Sequence, residues 1–155
     1  MNKAAANKQQ VDALTQLILE TFRLNGALLE AGDGLVAHLG LTSARWQVLG
    51  AIFTSPVPRP IAQLARNMGL SRQAVQRLAN EMAADGLVRF EDNPHHARAR
   101  LVVMTAKGAD TYRAAMVLQR RWAAGLAHGL GQKKFQAAAD LLQTIRVRLE
   151  PSRRD

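Results

Sequence analysis

The 155-residue chain has the length of one ordinary domain, and at 48% hydrophobic and 21% charged residues its composition is globular rather than disordered or fibrous. It holds no cysteine, which excludes disulfides, thiol redox sensing and cysteine-bound zinc, and no apolar run of membrane-spanning length, so a cytoplasmic protein with no membrane partner is expected. The formal charge of +9 favours a polyanionic partner, because releasing counterions from phosphates is a general source of affinity.

Residues 1–10 are rich in Ala, Lys, Asn and Gln and read as a flexible start. Val11, Leu14, Leu17, Ile18, Phe22, Leu28 and Leu29 then recur at three- and four-residue steps, the stripe of a helix. Gly32 and Gly34 are expected to loosen its end and Gly40 to close it. Thr42 suits the N-cap of a second helix that carries Trp46, Leu49, Ile52 and Phe53 inward. The run Ser55-Pro56-Val57-Pro58-Arg59-Pro60 stops that helix.

A third helix is expected from Ile61 to Met68, ending at Gly69, and a fourth from Arg72 to Asp85, capped by Ser71 and ending at Gly86. Leu87–Glu91 and Arg100–Met104 are β-rich runs joined by a loop, Asp92–Ala99, too long for a tight turn. Thr105 caps a long helix that reaches Gly125 or Gly129. The last helix sets Phe135, Ala138, Leu142, Ile145 and Leu149 at alternating steps of three and four, a narrow seam that wants a facing helix. The fold expected is mainly α with a small β-hairpin wing. Residues 41–105 form a winged helix-turn-helix lobe, 11–40 and 106–150 are dimerisation helices, and 151–155 are a flexible tail.

The functional reading rests on residues 61–80. Two helices crossing steeply through a three-residue turn need a small residue at the crossing, here Ala65, and a left-handed residue at the turn, here Gly69. A non-glycine side chain there would cost about 1 kcal/mol or more. Ser71 accepts the exposed amides of the next turn, a cap typically worth ~1 kcal/mol. Leu64, Val75, Leu78 and Met82 turn inward and seal the corner.

Arg72, Gln73, Gln76 and Arg77 are left outside, where a recognition helix meets base edges: Arg pairs with guanine and Gln with adenine. The loop downstream adds His95, His96, Arg98 and Arg100, of which the two arginines carry permanent charge. Such a loop reaches either the minor groove or a phosphate. Candidate DNA contacts are therefore Ser71, Arg72, Gln73, Gln76, Arg77, His96, Arg98 and Arg100, with double-stranded DNA as partner. Net charge is a weaker guide: residues 1–58 are neutral, 59–100 carry +3 and 101–155 carry +6.

Six fragments in order resemble the MarR family of transcription regulators: Leu41–Leu49, Ile61–Ala65, Gly69–Val75, Asp85–Val88, Asn93–Arg98 and Thr105–Gly108. The likeness spans about residues 11–150. It implies a homodimer of triangular outline with intertwined terminal helices, two winged lobes on a palindromic operator, and a small aromatic or phenolic effector that releases DNA. Two departures stand out. The family wing often carries Asp-x-Arg, whereas here Arg98 follows His96, and an imidazole cannot clamp a guanidinium as a carboxylate does. Pro60 stands where a Ser or Thr usually caps the third helix, and proline suits a first helical turn.

His38, Arg45 and Trp46 lie where lobe and terminal helices should meet, and are the candidate effector contacts. No cofactor or metal is expected: His95 and His96 are adjacent, a poor spacing for one ion, and His38 and His128 are distant in sequence. An enzyme is not expected either, since there is no Gly-rich phosphate loop, nucleophile elbow or facing pair of carboxylates. The alternative to an operator-binding regulator, expected to act as a repressor, is a winged-helix protein-interaction module; the polar recognition face argues for DNA, because a docking face should be apolar.

Overall fold

A computed structural model describes residues 3–96 and 98–149, and its contacts divide the chain into two units, residues 1–118 and 119–155. The tail expected at 151–155 lies outside the described residues. The elements in chain order are α1 (Lys3–Val36), a short 3₁₀ turn (Ala37–Leu39), α2 (Ser43–Phe53), β1 (Arg59–Pro60), α3 (Ile61–Met68), α4 (Arg72–Ala84), β2 (Val88–Glu91), β3 (Leu101–Met104), α5 (Ala106–Ala127) and α6 (Gln132–Leu149).

In the first unit the core is a single cluster. Val36, Leu41, Val48, Leu49, Leu64, Val75, Met82, Val88 and Val102 are all but sealed from solvent, and Tyr112 and Ala115 of α5 close over them. All but Leu41 come from an inward position of a helix or strand, so one hydrophobic centre is shared by seven elements and the loop after the 3₁₀ turn. The sheet has the order β1-β3-β2, antiparallel throughout, with Phe90 and Arg59 both paired to Val102. The hairpin expected from sequence is thus part of a three-stranded sheet. β1 is only two residues long and ends in proline, so neither alternation nor β-propensity announces it.

Two close approaches fix the lobe. A Cβ on Gly108 would stand 2.0 Å from the carbonyl oxygen of Leu87, so α5 can cross the sheet only with glycine there. Thr105 ties the same joint, its hydroxyl donating to the Gly86 carbonyl oxygen (2.6 Å) and accepting from Gly108 N–H (3.0 Å). A Cβ on Gly32 would stand 2.4 Å from Ser43 Oγ, where α1 meets α2. Ser43 Oγ donates to the Leu29 carbonyl oxygen, and Asp33 Oδ1 accepts from Ser43 N–H, so α1 helps to cap α2 beside Thr42.

Three expectations change here. Gly32 and Gly34 do not loosen the first helix, which runs through both to Val36, since Gly32 serves the crossing with α2. Of the expected flexible start, residues 3–10 are helical and continue α1; Met1 and Asn2 lie outside the described residues. Phe53 does not turn inward but stays 60% exposed, its ring 4.9 Å from that of Tyr112. Pro60 stands at the N-cap of α3, as the sequence implies, with no side-chain hydrogen bond to the helix, extended at ψ 158° and paired to Leu101.

In the second unit α6 forms as expected but buries none of its residues; Phe135, Leu141, Leu142, Val147 and Leu149 are exposed and Ile145 half-buried. Gly129, at φ +76°, marks the end of α5, which stops at Ala127. Among the described residues no helix is long and apolar enough to cross a membrane.

Candidate nucleic-acid interface

The turn between α3 and α4 is built as its residue types demand. Gly69 takes φ +66°, and Leu70 N–H returns to the Ala65 carbonyl oxygen at 3.0 Å, which closes α3. Ser71 is extended and its Oγ accepts from Ala74 N–H at 3.1 Å. α4 then buries Val75, Leu78, Ala79 and Met82 against the core. That burial fixes the rotation of the helix, so Arg72, Gln73 and Arg77 are exposed and Gln76 is half-buried.

These side chains differ in how free they are. Arg72 and Gln73, in the first turn, have no side-chain hydrogen bond or ion pair among the described residues. Gln76 Nε2 donates to Asn80 Oδ1 at 2.9 Å, which orients its amide. Arg77 lies 3.7 Å from Glu81, an exposed pair of small energetic weight that a phosphate or base can displace. Arg72, Gln73, Gln76, Arg77 and Asn80 line one open groove along α4.

The wing stands beside this helix. A concavity of about 250 Å³ runs between them and brings together Arg72, Gln76, Asn80, Arg98 and Arg100. Arg98 is exposed and has no ion-pair partner among the described residues. Arg100 is held differently: Nη2 donates to the Phe90 carbonyl oxygen at 2.8 Å and the guanidinium lies over the Phe90 ring, 5.4 Å from its centre. Its charge edges the concavity, but its position is set by the sheet.

His96 is exposed, and only its backbone joins the loop, donating to the Asn93 carbonyl oxygen and accepting from Ala99 N–H. The brace is Asn93. Its Oδ1 accepts from His95 N–H at 3.0 Å and its Nδ2 donates to the Ala99 carbonyl oxygen at 2.9 Å, so one half-buried amide spans the loop base. Sequence reasoning passed over Asn93, although an Asn-Pro pair opening a loop is a signal for such a side-chain turn. Asn80 and Arg59 were passed over too; each reads alone as an ordinary surface residue.

Of the candidate effector contacts, Arg45 is already engaged. Its Nη1 is 2.8 Å from Asp85 Oδ2 and its Nη2 3.4 Å from Glu81 Oε2, with its side chain only 20% exposed. It ties α2 to the last turn of α4, and Glu81 serves both Arg45 and Arg77. Lys107 Nζ donates to the Asp85 carbonyl oxygen at 2.8 Å and completes that end. Trp46 is half-buried against the core and His38 is exposed.

A Gly-turned pair of crossing helices, with a polar first turn and a basic wing alongside, is the arrangement of a winged helix-turn-helix reader. Residues 39–99 match the family model described as MarR family. The chain belongs to the MarR family. This MarR-family chain is 35% identical over 147 residues to the uncharacterized protein Rv2011c of Mycobacterium tuberculosis, an alignment covering 92% of this chain and 98% of that one. Its fold matches the crystal structure of the transcriptional regulator BldR from Sulfolobus solfataricus with a TM-score of 0.81 at 19% identity, over 96% and 100% of the two chains. It also matches the transcriptional regulator MosR of M. tuberculosis, solved in complex with DNA, with a TM-score of 0.70 at 27% identity, over 84% and 96%. Family and fold are those of DNA-binding transcription regulators.

Proposed function

We propose that this MarR-family regulator is a homodimeric repressor that sets α4 in the major groove of each half of a palindromic operator and leaves it when a small aromatic or phenolic ligand binds. The observation that carries the operator reading is the state of Arg72. It is exposed in the first turn of α4 with no carboxylate partner among the described residues, and it faces the concavity that the wing Arg98 also lines. A guanidinium so placed is available for a bidentate contact with guanine. Ser71, Gln73, Gln76 and Arg77 extend the surface around it, while Arg100 and His96 edge the wing.

The dimer reading is supported by α1. Val11, Leu14, Ile18, Leu19 and Phe22 are between 41% and 70% exposed, although their spacing is that of a buried stripe. Helices 11–40 and 106–150 are accordingly assigned to dimerisation. Repression is the simplest outcome, since a protein filling both grooves excludes polymerase from that stretch. The effector is assigned to the surface around His38 and Trp46, with Arg45 as a link to α4 through Glu81 and Asp85 rather than as a ligand anchor.

The test is recovery of genomic fragments on the purified protein. An enriched palindrome whose half-sites lie about one helical turn apart, ~34 Å, is the expected result. Fragments without any shared sequence would overturn the operator reading, and a monomer by light scattering at micromolar concentration would overturn the dimer.

A further inference from the structure

The wing loop separates two concavities. Its descending limb, Arg98 to Arg100, lines the one shared with α4. Its ascending limb, Asn93 to His96, lines a second, of about 550 Å³, whose other wall is the Val57–Pro60 segment and Gln63 of α3. The two have only Pro60 in common. The second concavity is basic in character. Arg59 is half-buried in its wall, steadied by a hydrogen bond from Nη1 to Gln63 Oε1 (3.4 Å), and no carboxylate pairs with it among the described residues. His95 and His96 are exposed opposite it, their backbones fixed by Asn93. Arg59 is the only permanently charged residue of that lining; on the wing itself Asp92 precedes the histidines and Arg98 follows them, both exposed.

A minor groove is bounded by two phosphate strands, about 6 Å apart, so a loop that approaches it meets one strand on each limb. Arg98, on the descending limb, can serve one strand, while Arg72 is left to the major groove. We propose that Arg59, His95 and His96 form a second phosphate-contact surface, which holds the other strand and makes duplex affinity proton-linked. This rests on the DNA-binding reading above. The chemistry favours phosphate over bases, because an arginine recessed in a wall and two short imidazoles offer donors at a shallow surface, with no long acceptor to read an edge. The linkage follows from imidazole itself, which gains charge within the range pH 8 to 5. A bound phosphate favours the charged form, so binding takes up protons and tightens as pH falls.

The probe is a fluorescent 30-base-pair duplex of random sequence, titrated by anisotropy at fixed ionic strength, because phosphate contacts are sequence-independent. The unmodified protein should bind about tenfold more tightly at pH 5.5 than at pH 7.5. The His95→Gln/His96→Gln double variant should change less than twofold over the same range, which separates these two residues from His38 and His128, both retained. Arg59→Gln should weaken binding at both pH values and lower the slope of log affinity against log salt by about one, a readout that loss of packing alone would not move. Equal pH dependence in the double variant and the unmodified protein, or an unchanged salt slope in Arg59→Gln, would overturn the second contact surface and leave the DNA-binding reading standing. No binding of any duplex at either pH by the unmodified protein would overturn both.

Discussion

The winged lobe and the long first helix solve opposite problems with the same residue types. In the lobe, apolar residues from α2, α3, α4, the sheet and α5 converge, and Leu49, Leu64, Met82 and Val102 lose essentially all contact with water. On α1 an equally regular stripe stays open, with Phe22 at 70% and Val11 at 55% exposure, until Val36 joins the core. The lesson is that regular apolar spacing specifies a helix face without specifying what covers it. The lobe closes its core within one chain; on the proposed dimer reading, the first thirty residues close theirs against a second copy.

That contrast can be broken by four variants. Leu64→Ala should lower unfolding free energy by about 2–5 kcal/mol, because the cavity forms in the core that seven elements share. Its effect on the midpoint of thermal unfolding should be the same at every protein concentration if the lobe is self-sufficient. Ile18→Ser with Phe22→Ser should do the reverse. With about 2 kcal/mol of apolar burial lost per site, the expected species by sedimentation is a monomer, with the lobe's own transition retained. A double variant that keeps its oligomeric mass would remove the contrast. Within the lobe, Arg72→Ala should cost ~1–3 kcal/mol of operator affinity at unchanged stability, since the side chain is exposed, has no hydrogen bond or ion pair among the described residues, and is proposed to meet a guanine. The smallest effect is expected for Asn93→Ala. Losing two loop hydrogen bonds should remove about 1 kcal/mol locally and weaken duplex binding a few-fold, visible as faster amide exchange at His95 while the core amides stay protected.

Legibility in the sequence follows the same division. The helix-turn-helix could be read from Ala65, Gly69, Ser71, Val75 and Leu78 because every step there is local: a crossing, a left-handed turn, a cap and a return to the core. All five stand as their spacing implies. What escaped reading depends on pairings distant in sequence. Arg59–Pro60 becomes a strand only because Val102 and Leu101 lie beside it. Arg45 is taken by Glu81 and Asp85, some forty residues on, and so was read as an effector contact when its first partners are within the lobe. Gly32 reads as loosening the end of the helix because the neighbour that requires it, Ser43, belongs to another helix. Arg100 reads as a DNA contact from its charge, and only the fold adds that its guanidinium lies on Phe90.

The central claim is that the first turn of α4 enters the major groove with Arg72 at a guanine. Methylation protection at guanine N7, on an operator recovered from the genome, tests it most directly. The account expects protected guanines at symmetric positions in both half-sites with the unmodified protein, and loss of one such protection per half-site with Arg72→Ala while the rest persist. Guanines equally reactive with and without bound protein, or a pattern identical in the variant, would contradict it.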